Sequence, residues 1–141
     1  MQVVISCYMG MLALWDARYR KVPVWSLITG ALLLAGIGVW QCVHGTVFWW
    51  TLLFGVIPGL AMLIVARCTR MAGYADGVVL AELGLYLGWR DSVLLLCISL
   101  MLSAVCCILL LALRRVQRQT QIPFLPFLFV GFMIQSFGMR G

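Results

Sequence analysis

The chain has few charged residues and very few acids. Only 10% of its 141 residues are Asp, Glu, Lys or Arg, and four of these are acidic. Hydrophobic residues make up 65% of the chain, far above their share in a soluble domain. A water-soluble fold of this length could not bury so much apolar surface, whereas lipid accommodates it on the outside of a protein. The composition therefore predicts an integral membrane protein.

Residue sets for several familiar kinds of site are missing from the sequence. The single histidine, His44, lies in a predicted outer loop, from which no Ser/His/Asp triad can be assembled, and no H-E-x-x-H motif is present. One histidine and six cysteines form no recognisable zinc set. The six cysteines form no C-x-x-C pair, and no Gly-rich loop carries the Lys of a phosphate site. The ten cations are scattered in short loops and form no continuous basic face. We therefore expect no metal, no cofactor and no nucleic-acid partner.

Nothing in the sequence divides the chain into separate modules. It has no Pro- or Ser-rich linker and no internal repeat, so residues 1–141 are predicted to form one integral-membrane domain. The apolar segments are about Met1–Trp15, Val22–Trp40, Val47–Ala66, Met71–Trp89, Ser92–Leu113 and Pro123–Met139. Open strands would leave backbone groups unpaired in lipid, so we expect an all-α fold of six transmembrane helices.

The loops between these segments predict the orientation of the chain. The odd-numbered loops hold eight cations, whereas the even loops and the C-terminus hold only Arg90 and Arg140. Loops rich in Lys and Arg remain in the cytosol. Both termini are therefore predicted to lie on the non-cytosolic side. The eight cations are Arg18, Arg20, Lys21, Arg67, Arg70, Arg114, Arg115 and Arg118.

Two of the four acids are predicted to lie at the cytosolic ends of their segments. Asp16 closes the first segment, and Asp76 lies five residues into the fourth, roughly 7 to 8 Å deep by helical rise. An acid within an apolar segment is costly and is by default a candidate functional site. Gly73 and Gly77 flank Asp76 and leave little side-chain bulk, so that backbone, water or an extended peptide could approach the carboxylate.

The other two acids have different surroundings. Asp91 lies in a non-cytosolic loop beside Arg90, and it is predicted to cap the fifth helix. Glu82 lies near the middle of the fourth segment. Two roles stay open for Glu82, namely a neutral hydrogen-bonded group facing another helix, or a group that binds a basic peptide or tunes the aspartates.

A pair of aspartates at one membrane face has two interpretations. In the first, both aspartates are solvated groups at the membrane interface. Alternatively, two carboxyls held within a few ångströms cannot both ionise cheaply, so one retains a proton while the other acts as a base. Such a pair can activate water against a peptide bond and protonate the leaving nitrogen without a metal.

Four segments, in order along the chain, resemble motifs of the type IV prepilin peptidases, the GxGD class of membrane aspartyl proteases. Asp16 to Trp25, DARYRKVPVW, is similar to their D-x-R-x-x-x-[IV]-P-N-W segment. Gly73 to Asp76, GYAD, resembles the second motif, and Leu83 to Gly88 the L-G-L-x-L-G that follows it. Ile122 to Leu128, IPFLPFL, is similar to the I-P-F-G-P-F-L near the last helix of the family.

The resemblance implies that Asp16 and Asp76 are the catalytic pair of an aspartyl endopeptidase in the bacterial cytoplasmic membrane. Its partners would be prepilin or pseudopilin precursors, cut at the cytosolic face. The chain lacks the zinc-cysteine segment of larger members, so the resemblance implies a short form without methyl transfer. It departs from the motifs at Val24, Ala75 and Val78, where Asn, Gly and often Lys are usual.

Two other functions stay open from the sequence. A small transporter or channel subunit would use Asp76 and Glu82 to line a polar path, although it leaves Asp16 without a role. A non-catalytic pilus-assembly protein would keep the fold and bind pilin precursors. Ala75, which adds a methyl group next to Asp76, keeps this second alternative open.

Overall fold

The computed structural model describes residues 2–19, 21–69, 73–114 and 123–138. Within these ranges every regular element is an α-helix, which confirms the predicted all-α fold. The helices are α1 (Gln2–Tyr19), α2 (Val24–Val43), α3 (Trp49–Gly55), α4 (Ile57–Thr69), α5 (Tyr74–Leu87), α6 (Trp89–Ala112) and α7 (Leu125–Gly138).

Each predicted apolar segment contains a helix, and three helical stretches are long and apolar enough to cross a membrane. These three are Val24–Val43, Trp49–Thr69 and Trp89–Ala112. Helices α5 and α7 are shorter, with 14 residues each. The second of the three stretches contains both α3 and α4.

The division between α3 and α4 has its cause in Pro58. A proline inside a helix has no N–H to donate, and its ring crowds the carbonyl four residues earlier. Helix α3 accordingly ends at Gly55, and α4 begins at Ile57, which places Pro58 in the first turn of α4. A proline is well tolerated in that position. The predicted third segment is therefore one apolar stretch with a break at Val56.

The chain divides into two compact units, and the boundary falls within α6 after Leu94. The first unit comprises residues 1–20 and 95–141, and in it α1 packs on α7. The Gln2 side-chain amide donates a hydrogen bond of 2.6 Å to Ser136 Oγ across this pair. The buried apolar side chains of α1 and α7 include Ile5, Met9, Leu12, Leu125, Leu128 and Phe132.

The second unit, Lys21–Leu94, is built around α5, which packs against α2, α3 and α4. Small residues bring the backbones close together. A methyl group on Gly84 would overlap the carbonyl of Gly55, and one on Gly59 would overlap the backbone of Ala81. Gly55 lies against Gly84, and Gly59, further along the chain, lies against Ala81, which comes earlier. Helices α3 and α4 therefore run antiparallel to α5. Close approach of this kind is typical of small residues between membrane helices.

A hydrogen bond from Ser92 and a turn at Gly88 determine the structure where α5 ends and α6 begins. The buried Ser92 hydroxyl donates a hydrogen bond of 3.1 Å to the carbonyl oxygen of Gly55. Gly88 separates α5 from α6 with a φ of 81°, a conformation that side-chain-bearing residues rarely adopt. Its N–H bonds to the carbonyl of Gly84 at 3.0 Å, which ends α5. The two glycines of the Leu83–Gly88 motif therefore have separate structural roles.

Candidate active site

Asp16 lies in the last turn of α1, on the buried face of that helix. The face repeats at helical spacing through Ile5, Met9 and Leu12, and Asp16 continues it with 8% of its surface exposed. The backbone N–H of Leu125 donates a hydrogen bond to the Asp16 carboxylate. Since Leu125 is the first residue of α7, Asp16 satisfies one of the N–H groups that have no partner within that helix.

Burial and this hydrogen bond have opposite effects on the Asp16 carboxyl, which follows the apolar segment Met1–Trp15. Burial raises the pKa of Asp16, because removal from water penalises the charged form. The hydrogen bond from Leu125 lowers the pKa, because it favours the carboxylate, and burial is the larger effect. Asp16 therefore holds its proton to a higher pH than an ordinary carboxyl and is suited to act as a proton donor.

The contact with Leu125 connects two of the sequence motifs. The segment from Ile122 to Leu128 contains the start of α7, with Pro126 in its first turn, where a proline is well tolerated. Ile122 itself lies outside the described residues. The N-terminus of a helix attracts negative charge, so the start of α7 favours an acid at position 16.

Asp76 lies in the first turn of α5 and is 7% exposed. Gly73 is the N-cap of this helix, and its carbonyl accepts a hydrogen bond of 3.2 Å from the Asp76 N–H. A methyl group on Gly73 would lie 3.0 Å from Asp76 Oδ2. The missing side chain of Gly73 therefore leaves room for the carboxylate. Met71 and Ala72, which precede this glycine, lie outside the described residues.

The space beside Gly77 is occupied by α4. Gly77 is buried, and a methyl group there would lie 2.7 Å from the Cγ of Leu63 and 3.1 Å from the backbone nitrogen of Leu63. Gly77 thus allows α4 to pack closely beside the turn that carries Asp76. Its predicted contribution to substrate approach stays a prediction.

The remaining acids lie on α5 and α6. Glu82 is 3% exposed, within the buried part of α5. Asp91 was predicted to precede its helix as a cap, but α6 begins two residues earlier, at Trp89, so that Asp91 lies inside the first turn. A negative charge in that turn still interacts favourably with the helix dipole. Among the described residues, no group of three His, Cys, Asp or Glu side chains could hold a metal ion.

Asp16 belongs to the first unit and Asp76 to the second. The structure brings Leu125 to Asp16 and Gly73 to Asp76, each within one unit. The pairing of the two carboxylates stays a prediction.

Sequence reasoning missed the groups that position α5. Gly55 and Gly59 form a G-x-x-x-G pair, a known signal for close approach of membrane helices, and this signal could have identified them. In the sequence Ser92 is only the first residue of the fifth apolar segment, whereas in the structure its hydroxyl donates a hydrogen bond to the Gly55 carbonyl on another helix. No local pattern indicates that bond, because its partners are 37 residues apart.

The sequence model of the type IV leader peptidase family matches residues 3–111 of the chain. The matched region contains both Asp16 and Asp76 and covers well over half of the chain. Comparisons with curated proteins and with solved structures gave no match. The family match identifies a peptidase of the prepilin-leader type, and the long apolar helices agree with a membrane protein. The chain belongs to the type IV leader peptidase family.

Proposed function

We propose that the protein is a membrane-embedded aspartyl endopeptidase in which Asp16 and Asp76 together activate water. Its substrates would be type IV prepilin-like or pseudopilin precursors, cut at their leader peptide on the cytosolic face of the bacterial cytoplasmic membrane. The family match supports the general activity. The aspartyl mechanism, the substrates and the location of the cut are our proposals.

The proposal includes a multi-pass topology of six spans with both termini on the non-cytosolic side. The cation distribution supports it, with eight cations in the loops assigned to the cytosol and two elsewhere. The antiparallel packing of α4 against α5 is consistent with two successive spans. In this orientation α1 ends at the cytosolic face, and α5 begins there.

The observation that carries the proposal is that two aspartates are almost fully buried at helix ends assigned to one face. Asp16 is 8% exposed in the last turn of α1, and Asp76 is 7% exposed in the first turn of α5. Solvated interfacial acids would be expected to be exposed, so burial favours a functional pair over two solvated surface groups. Burial of a carboxyl is costly and is typical of groups tuned for proton transfer.

In the proposed mechanism we assign the acid role to Asp16, whose pKa is raised by burial, and the base role to Asp76. Ionised Asp76 accepts a proton from water as the water oxygen attacks the scissile carbonyl carbon. Asp16 donates its proton to the carbonyl oxygen, which becomes the hydroxyl of a tetrahedral intermediate. As the intermediate collapses, the C–N bond breaks, the amine nitrogen takes the proton held by Asp76, and the hydroxyl proton returns to Asp16. Because the two groups interact, they titrate as a pair.

The test is cleavage of a prepilin-type precursor in membranes by the parent, Asp16→Asn and Asp76→Asn. Loss of a general acid or base lowers rates by about 10²–10⁴-fold, so both variants should lose cleavage to at least this extent. Asp91→Asn is the matched control, since it removes an acid from the first turn of α6, far along the chain from Asp16 and Asp76, and should retain cleavage. Membrane-inserted protein is quantified for every variant.

Two results would contradict the proposal. Undiminished cleavage by either Asp16→Asn or Asp76→Asn would exclude that residue from the reaction. A parent protein that binds the precursor without cutting it would instead indicate a non-catalytic assembly role.

A further inference from the structure

The tryptophans of α2 lie at its two ends, and both are exposed. Trp25 is the second residue of the helix and is 81% exposed, whereas Trp40 lies in its last turn and is 59% exposed. In membrane proteins tryptophan and tyrosine concentrate at the two membrane–water interfaces. The positions of these two rings therefore mark two interfacial levels on one rigid helix.

The other exposed tryptophans of residues 21–94 lie at the level of Trp40. Methyl groups on Gly38 and Gly88 would contact Leu85 and Thr51 respectively, so these ends of α2, α3 and α5 lie side by side. Trp49, Trp50 and Trp89 flank those contacts, and all three are about half exposed. Four tryptophans thus form one belt, which we call the outer belt: Trp40, Trp49, Trp50 and Trp89.

Two exposed aromatic side chains, Trp25 and Tyr74, lie at the opposite end of the same unit. Tyr74 is the first residue of α5 and is 55% exposed, and it lies at the opposite end of that helix from Trp89. Trp25 lies at the opposite end of α2 from Trp40. We call Trp25 and Tyr74 the inner belt.

The two belts are closer together than an ordinary bilayer requires. Trp25 and Trp40 are fifteen residues apart, which is roughly 22 Å by helical rise. The length of α5 gives a similar distance between the belts, because its first and last residues, Tyr74 and Leu87, are separated by roughly 20 Å. Side chains on a helix all lean toward its N-terminus, so the lean shifts both rings of α2 equally. The hydrocarbon core of a typical bilayer is about 30 Å thick, and tilting α2 would only widen the discrepancy.

We propose that the two aromatic belts hold the lipid around residues 21–94 at a local hydrocarbon thickness of roughly 22 Å, thinner than an ordinary bilayer. The partner of this surface is the lipid bilayer itself. A short hydrophobic stretch is commonly accommodated by local thinning of the bilayer. In combination with the proposed peptidase activity, thinning brings interfacial water near the first turn of α5, where Asp76 lies.

Unfolding of the unaltered protein in bilayers of graded thickness provides the first test. The protein is reconstituted in vesicles of dimyristoleoyl-, dioleoyl- or dierucoyl-phosphatidylcholine, and thermal unfolding is followed by circular dichroism. The proposal predicts the highest midpoint in the shortest-chain lipid and a decrease of roughly 5 °C or more in the longest. A midpoint that is highest in the dioleoyl or dierucoyl lipid would overturn it. This readout does not depend on peptidase activity.

Depth measurement on single tryptophans provides the second test. Variants that retain only Trp25 or only Trp40, with the other five tryptophans replaced by Phe, are placed in dioleoyl vesicles that contain lipids brominated at different depths. Thinning predicts that both indoles are quenched most by bromines near the headgroup. In an undeformed bilayer, one indole at the interface would leave the other roughly 7 Å from the mid-plane. Strongest quenching of either indole by bromines near the chain end would overturn the proposal.

Discussion

Replacing Gly84 with alanine should force α5 away from α3. A methyl group on Gly84 would overlap the carbonyl carbon and oxygen of Gly55. The obstacle is backbone on both sides, so no rotamer change can relieve it. The two helices must separate, and the separation also strains the hydrogen bond from Ser92 to the Gly55 carbonyl.

The magnitude follows from three contributions. Overpacking a closely packed contact costs about 1–3 kcal/mol, and a backbone obstacle belongs at the upper end of that range. Weakening the Ser92 hydrogen bond adds up to about 1 kcal/mol. Replacing a helical glycine with alanine returns about 0.5–1 kcal/mol of backbone entropy. We therefore expect Gly84→Ala to lower the free energy of unfolding by about 2–3 kcal/mol.

The assay is reversible unfolding in mixed detergent micelles, followed by circular dichroism, with Gly36→Ala as the matched control. Gly36 lies within α2, and a methyl group there would meet nothing within 4 Å. Gly36→Ala should therefore leave stability unchanged or raise it by up to about 1 kcal/mol. The reasoning is refuted if Gly84→Ala and Gly36→Ala unfold with the same free energy.

Three further predictions concern other described contacts. Ser92→Ala should lower the free energy of unfolding by about 0.5–1.5 kcal/mol, because it removes the buried donor to Gly55, and an unchanged value in the same assay would contradict the bond. Gly77→Ala should cost about 1–3 kcal/mol against Leu63, and Leu63→Ala in the same chain should recover part of that loss, whereas additive losses would contradict the contact. Burial raises the pKa of Asp16, so the unfolded chain releases this proton at a lower pH than the native state does. The stability of the native state therefore falls as the pH rises from the ordinary carboxyl range to the raised pKa of Asp16. Unfolding measured from acid to neutral pH should therefore show Asp16→Asn gaining stability relative to the parent as the pH rises, and a pH-independent difference would contradict the direction of that pKa.

The sequence was sufficient for the helices, because each apolar segment is long, free of strand-like alternation and bounded by charged or turn-forming residues. It was not sufficient for the ends of those helices. The break at Val56 depends on how Pro58 is accommodated, and the start of α6 at Trp89 depends on the turn at Gly88. Both are decided by packing and backbone conformation, which hydropathy does not report.

The candidate site, too, could be predicted only in part from the sequence. The position of Asp16 and Asp76 at helix ends could be read from the sequence, because each lies at the edge of an apolar segment. The hydrogen bond from Leu125 to Asp16 could not, since it joins α1 to a helix that begins more than a hundred residues later. The sequence predicted that Gly77 leaves room beside Asp76, and only the structure shows that Leu63 lies against Gly77.

The central claim is that Asp16 and Asp76 act as one unit on one peptide bond. The most direct measurement is the rate of prepilin-leader cleavage by the parent, Asp16→Asn, Asp76→Asn and the double variant, at equal amounts of inserted protein. Residues that act as a unit have non-additive effects, so each single variant should fall to background and the double variant should fall no further. Substantial cleavage by either single variant, or losses that multiply in the double variant, would contradict the account.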